Sequence, residues 1–393
     1  MVFELCDRHG GIVCGRHLST LHLLIVLTGK PRHPRMRPRE SIWPWELNNA
    51  RLVNCDFRAH MNTTVVFDTY WRFAAERLSM FYRRLADPWG PWTNDPILRE
   101  FRFTNTYRAA DRVSQYLISE VQYRSERSQE PKEVFFRTIL FKIFNKVDTW
   151  EALEREFGLL TWKDFDFERA DQLLSRLHAK GRKIYSAAYI MPPPPFGKTR
   201  KHSNHLALLN LMMTDRLPDR LRQAPDLQTV YETILGYPGL GRFLAFQYAI
   251  DLNYSTLLDF DESEFVVAGP GALDGISKCF KSTDGQSAEE IINWVTERQS
   301  DEFASRGIDF AGLFGRRLQP IDCQNLFCEI SKYSRVAHPD VQGIADRKRI
   351  KQSYRRTALK LPQPRFPPRW GVSTNPADVI VNKIRSEEQL ELL

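Results

Sequence analysis

Cysteine is scarce in this sequence, and its placement excludes two classes at once. The six cysteines, Cys6, Cys14, Cys55, Cys279, Cys323 and Cys328, are spread through 393 residues. They are too few and too scattered for a disulfide framework. Only Cys323 and Cys328 are close, and no second pair or His-x-His cluster completes a four-ligand zinc set, so no metal site is expected. The reading is buried free thiols in a reducing compartment. Long apolar runs are missing too. The longest, near Leu18–Leu27, is broken by Ser19, Thr20 and His22, whereas a bilayer span needs about 20 apolar residues. No small-residue cleavage site follows it; Lys30, Arg32, Arg35, Arg37 and Arg39 do. The expectation is a chain outside membranes and not secreted, nuclear in a eukaryote and cytoplasmic otherwise. A nucleotide-binding P-loop is also absent. Gly197-Lys198-Thr199 imitates one, but Pro192, in a run of four prolines, stands where the first glycine is required.

With 42% hydrophobic and 12% aromatic residues there is ample material for a core. The formal net charge of +8 points to an anionic partner without choosing one. Its distribution is uneven. Residues 341–370 hold nine Lys/Arg against Asp346 alone, and residues 1–60 hold nine basic against five acidic side chains. The remaining body, 61–340, carries a net −2, so the charge describes the ends and gives no evidence of a basic surface on the body. Prolines and arginines alternate through KPRHPRMRPRE, which cannot hold a helix; residues 1–60 read as a poorly ordered basic arm. Residues 341–393, polar and interrupted by Pro362, Pro364, Pro367 and Pro368, read as a basic, Pro-rich disordered tail. Its RKRIK stretch could serve as a nuclear address.

Between these ends the apolar period is helical. It predicts a helix from about Thr63 to Leu85, then helices over 105–122, 131–144, 149–157, 167–184, 202–213, 217–223, 227–235, 242–252, 288–306 and 322–333. FVVAG at 265–269 is the best strand. The class is mainly α.

Four segments could carry chemistry. On a helix over 105–122, Asn105, Arg108, Arg112, Gln115 and Ser119 share one face. Arg108 and Arg112 one turn apart repel unless Asp111, another carboxylate or a phosphate offsets them; a solvated polar face is the plain alternative. In 227–255 two helices flank Tyr237-Pro238-Gly239-Leu240-Gly241. Gly239 and Gly241 allow a sharp turn and leave the amides of the next helix open to an anion. The segment looks like the helix-hairpin-helix of DNA repair enzymes, the alternative being an ordinary αα-hairpin. In bifunctional glycosylases of that class a lysine stands two positions after the second glycine; here that position is Phe243. No aspartate is in register beyond the second helix, although Asp251 lies at its end. VVAGPGALDGISKCF supplies a loop, Gly269 and Gly271, that a ligand could approach, with Asp274 and Lys278 one turn apart if a helix follows. IDCQNLFCEISKY has Asp322 as a helix cap with Gln324, Asn325 and Glu329 on a polar side. The loop before His202 adds Lys198, Arg200 and Lys201.

Together FRFTNTYRAADRVSQYL, AAYIM, HLALLNLMM, YPGLGRFLAFQYAIDLNYS, EFVVAGPGALDGISKCF and IDCQNLFCEISKY resemble the helical domain of phage 5-hydroxymethyluridine DNA kinases, also called α-glutamyl/putrescinyl-thymine pyrophosphorylases. The resemblance spans about 65–335. It implies a helical, DNA-glycosylase-like domain over 61–340 acting on 5-hydroxymethyluracil in DNA, with phosphorylation of the hydroxymethyl group of a flipped base. A modified-base glycosylase and a non-catalytic reader of modified DNA are the alternatives. A kinase needs a proton acceptor and groups that hold phosphoryl charge. The resemblance nominates Asp251 and Asp111 for the first. For DNA or phosphate it nominates Asn105, Arg108, Arg112, Gln115, Lys201, Gly239, Gly241, Gly269, Gly271 and Lys278, with Asp322, Gln324 and Glu329 as further site residues. ATP and Mg²⁺ would be the cofactors of a kinase. The implied partners are DNA containing modified thymine and a separate nucleotide-binding or base-oxidising protein.

Overall fold

A computed structural model describes residues 61–355, 361–375 and 377. The expectation for residues 1–60 lies outside the described residues. Among those described the chain is mainly helical, with thirteen α-helices and one two-stranded antiparallel ladder that pairs β1 (Asn62–Thr63) with β2 (Phe280–Ser282).

The first helix, α1 (Val65–Ala86), begins where Thr64 Oγ1 accepts the Val66 N–H at 3.1 Å. Its apolar stripe enters the centre of one helical group. Phe67 packs on Phe280 and Trp294, Tyr70 on Phe327, and Trp71 edge-on against Phe303. Those partners belong to β2, α12 (Ala288–Ala304) and α13 (Pro320–Ala337). Helix α11 (Pro270–Cys279) lies closest to α13, and α2 (Pro96–Glu100) also touches α13. The second group centres on α4 (Pro131–Phe144), which is buried on all sides from Val134 to Phe144, with Arg137 and Lys142 among its buried side chains. Around it pack α5 (Val147–Phe157), α7 (Lys201–Thr214), α8 (Leu217–Arg222) and α10 (Arg242–Asn253). Helix α6 (Phe167–Ala179) rests on α7, and α9 (Leu227–Leu235) pairs with α10 through the Tyr237–Gly241 turn.

The seam between the groups is formed by residues 105–122, where the expected single helix is not found. The chain makes a 3₁₀ turn over Arg108–Ala110, a short helix α3 (Arg112–Tyr116), and a π turn over Leu117–Gln122. The path is interrupted at Tyr107 and Asp111, both extended, and two hydrogen bonds hold the amides there. Asp111 Oδ1 accepts the Asn105 N–H at 2.7 Å, and Asp322 Oδ1 accepts the Arg108 N–H at 3.1 Å. Both take up donors that a continuous helix would leave free at its start. At the other end Arg137 of α4 donates to the carbonyls of Val121 at 2.6 Å and Gln122 at 3.0 Å, which the π turn leaves open.

Other differences have local causes. Helix α6 stops at Ala179 instead of Ile184 because Gly181, at φ +73°, turns the chain. Residues 265–269 are not a strand: Val266 and Val267 are buried, and the Ala268 N–H goes to Glu289 Oε1 at 3.0 Å. Residues 361–375, expected within a disordered tail, lie against the body. Phe366 is buried, Trp370 meets Tyr254 edge-on, and Arg369 donates to the carbonyls of Asn253 at 2.6 Å and Phe260 at 2.9 Å. Prolines exclude a helix there but leave aromatic anchors free to dock.

Candidate functional site

At the seam three charged side chains meet away from water. Arg108 Nη1 lies 2.7 Å from Asp251 Oδ1, and Lys142 Nζ lies 2.6 Å from Asp251 Oδ2. The side chains are 2%, 4% and 1% exposed for Arg108, Lys142 and Asp251. Each comes from a different element: the 3₁₀ turn, α4 and α10. Gln247, one turn before Asp251 on α10, accepts from Arg108 Nε at 2.8 Å. Gln122 of the π turn donates to the Asp251 carbonyl at 2.8 Å.

The charges shape one another. Burial opposes the carboxylate of Asp251, but Arg108 and Lys142 outweigh it and hold its proton affinity below the ordinary range. Burial likewise opposes the Arg108 charge, and Asp251 more than offsets that. For Lys142 burial wins and brings the ammonium down to about 8. Two cations therefore share one carboxylate in a dry place, an arrangement that favours an added anion or acceptor.

Aromatic rings close the cluster. Lys142 Nζ stands 4.1 Å from the centre of the Tyr189 ring, and the Arg108 guanidinium lies 5.6 Å from Tyr189 and 5.7 Å from Tyr254. Tyr189 belongs to the loop between α6 and α7. Its ring lies parallel to Phe243, with centroids 5.9 Å apart. Phe243 in turn leans on Gly269, where an added Cβ would come within 2.6 Å of the ring.

Of the residues nominated from sequence, Arg108 and Asp251 meet directly. Asp111 sits at the edge, half-buried, its proton affinity raised by burial to about 6. Asp322 receives the Arg108 N–H and, through Oδ2, the Gln319 N–H at 3.1 Å, capping α13. Arg112 does not share a face with Arg108: it is exposed, whereas Arg108 is buried. Gln115 binds residue 365, donating to its carbonyl at 3.0 Å and accepting its N–H at 2.9 Å. Asn105, Asn325, Thr104 and Glu329 form a separate network: Asn325 donates to the Asn105 carbonyl at 3.1 Å, and Glu329 accepts the Thr104 N–H at 3.0 Å.

Lys278 is buried, donating to the Ser331 carbonyl at 2.9 Å beside Asp274. Lys201 lies over the Tyr185 ring. Gln324 donates to Cys328 Sγ at 3.1 Å near Gly269, while Gly271 allows α11 to approach Cys328. Gly239, at φ +83°, makes the turn and receives Pro194, and Gly241 leaves the α10 start exposed. Lys142, Gln247, Tyr189 and Tyr254 were not nominated. Lys142 carried a signal, a lone cation near the end of the apolar run ILFKIF, and Gln247 stands four residues before Asp251. Tyr189 lies in the AAYIM segment that shares in the resemblance, but nothing in its own chemistry nominated it.

Asp322 gives a test of this electrostatic picture. Burial raises it to about 7 from an ordinary 3.8. Its folded form keeps a proton that the unfolded chain releases, so stability is lost as pH rises from about 4 to about 7. Asp322→Asn removes that dependence. Relative to the parent protein, the variant is expected to gain about 2–3 kcal/mol between pH 5 and pH 8, read from urea midpoints at the two values. A constant difference would contradict the assignment.

Among the described residues no cluster of three or more His, Cys, Asp or Glu could hold a metal ion, and no helix is long and apolar enough to cross a membrane. A family model described as "5-hmdU DNA kinase, helical domain" matches residues 64–343. Among curated proteins, the "5-hmdU DNA kinase" of Bacillus phage SP10 is 26% identical over 286 residues, covering 68% of this chain and 45% of that protein. The chain therefore aligns with less than half of that relative's length. No solved structure matches.

Proposed function

Since this chain belongs to the family of 5-hmdU DNA kinase helical domains, we propose that it recognises 5-hydroxymethyluracil in DNA and presents the base's hydroxymethyl group for phosphorylation. The observation that carries the reading is the buried pair of cations, Arg108 and Lys142, sharing Asp251 beneath the Tyr189 ring. A uracil ring offers two carbonyl acceptors and its phosphorylated form adds an anion; both suit donors held in a dry site. The base leaves the stack to reach such a site. The open amides at the start of α10 and the exposed Arg112 and Arg242 are placed by this reading on the DNA backbone.

In the transfer, the hydroxymethyl oxygen forms a bond to phosphorus while the donor's phosphoanhydride bond breaks and the hydroxyl proton leaves. Asp111, with a proton affinity near 6, suits the acceptor role better than Asp251, whose oxygens are both held by cations. The phosphoryl donor on this reading is ATP with Mg²⁺. Gly197-Lys198-Thr199 lies in a loop after Pro195 and Phe196 with no strand directly before it, so this reading does not place the nucleotide there. We assign the donor to a separate nucleotide-binding protein.

Fluorescence anisotropy with a duplex carrying one 5-hydroxymethyluracil, against the same duplex with thymine, tests the recognition step. At fixed salt the modified duplex is expected to bind at least tenfold tighter, and Lys142→Met to abolish that preference. Equal affinity of the parent protein for both duplexes would overturn the proposal. Label transfer from Mg-ATP onto the modified duplex, and not onto the thymine duplex, would add the catalytic step.

A further inference from the structure

Tyr189 is the least comfortable residue near the site. Its φ of +54° is a left-handed backbone conformation that a bulky side chain rarely adopts. The side chain is nevertheless inserted, with Lys142 over its face and Phe243 parallel to it, while the next residue, Ile190, is 67% exposed. The segment is short and pinned at both ends. The Ser186 N–H donates to the Phe144 carbonyl at 2.9 Å. Met191 is buried beneath Tyr248, and His205 contacts the Pro192 carbonyl at 3.1 Å. Only Ala187–Ile190 need move for the ring to leave.

Its departure would open a slot of definite chemistry. Phe243 forms a flat wall, fixed because Gly269 has no side chain to displace it. Arg108 and Lys142 form a floor of hydrogen-bond donors, which the Tyr189 side chain faces while the slot is closed. A planar ring with carbonyl acceptors on its edge fits; a ring presenting an amino group to the same donors does not.

We infer that the Tyr189 ring occupies the place of the extruded base, and that a 5-substituted uracil displaces it to stack on Phe243 with its carbonyls toward Arg108 and Lys142. This rests on the base-recognition reading above and names the residue that gates it. The loop strain and the inserted ring then have one explanation: the closed site is covered by a stand-in that is easily released, and a base unable to pair with the donors does not compete with it.

Tyr189→Gly is the direct test, because glycine accepts the same backbone conformation and removes the ring. Isothermal titration of the full chain with the free nucleosides supplies the readout. Tyr189→Gly is expected to bind 5-hydroxymethyl-2′-deoxyuridine at least tenfold tighter than the parent protein and than Tyr189→Phe, which keeps the ring. It should prefer that nucleoside to 5-hydroxymethyl-2′-deoxycytidine by a similar factor. Unchanged binding in Tyr189→Gly, equal binding in Tyr189→Phe, or no preference between the nucleosides would overturn the inference. DNA is not needed, so a protein that takes the nucleoside but never prefers modified DNA would count against the proposed function and leave the slot standing.

Discussion

Asp251→Ala is expected to lower the stability of the helical body by about 3–5 kcal/mol, the cost typical of leaving a buried charge without its partner. The variant keeps Arg108 and Lys142 side by side, at 2% and 4% exposure, with their shared carboxylate gone. Arginine cannot release its proton at accessible pH, so Lys142 is the group that responds. It is already brought down to about 8, with Asp251 its strongest supporting charge. Without that charge its folded value falls further below the unfolded one near 10.4. A depressed lysine gains relative stability as pH rises from its folded value toward its unfolded value. The deficit of Asp251→Ala against the parent should therefore be larger at pH 6 than at pH 8, as urea denaturation at both values will read. Lys142→Met is the counterpart. It removes the excess cation and leaves the Arg108–Asp251 pair at 2.7 Å intact, so it should cost far less than Asp251→Ala. Equal costs would mean that these groups are not coupled through Asp251.

This asymmetry shows what the sequence could and could not convey about the site. Helix α4 was legible to the residue: Pro131 favours a first turn, apolar residues dominate from Val134 to Phe144, and Asn145 ends it in a left-handed conformation. Residues 105–122 have the same helical period, yet the chain breaks there, because the partners that decide its path are remote. Arg108 is drawn to Gln247 and Asp251, and its N–H to Asp322. A periodic pattern records which residues would share a face if the helix formed; it holds no record of a carboxylate far along the chain that competes for the same side chain. Asp251 could be nominated from its place after the hairpin, and a single lysine in an apolar run could have added Lys142. Tyr189 could not be found that way, since its evidence is a backbone angle and two ring contacts made in the folded state. The strap at 361–375 was missed for a related reason. Proline content argues against secondary structure, whereas Phe366, Arg369 and Trp370 dock without any.

Gly275, the described glycine with least room for a side chain, gives the second large effect, and its sign opposes helix propensity. Glycine to alanine inside a helix ordinarily stabilises by about 1 kcal/mol. At Gly275 of α11 the same change should destabilise by about 3 kcal/mol or more. A Cβ there would fall well inside contact distance of the Phe327 carbonyl oxygen and 2.7 Å from its carbonyl carbon. Both are backbone atoms in the middle of α13, which no rotamer change can move aside, so the two helices must separate. The consequence reaches the site at both ends. Gly269, at the start of α11, holds Phe243 in place, and Asp322, in the first turn of α13, holds the Arg108 N–H. Gly271 is the control on the same helix. Its added Cβ would meet Cys328 Sγ at 3.0 Å and Cβ at 3.2 Å, side-chain atoms, so Gly271→Ala should be milder, and Cys328→Ala, which removes the sulfur alone, should recover part of its loss. Thermal denaturation of the three variants should place Gly275→Ala lowest, with no gain from Cys328→Ala in its background. A Gly275→Ala protein that melts with the parent would mean that α11 and α13 are not packed backbone to backbone, and the wall of the slot would then need another support.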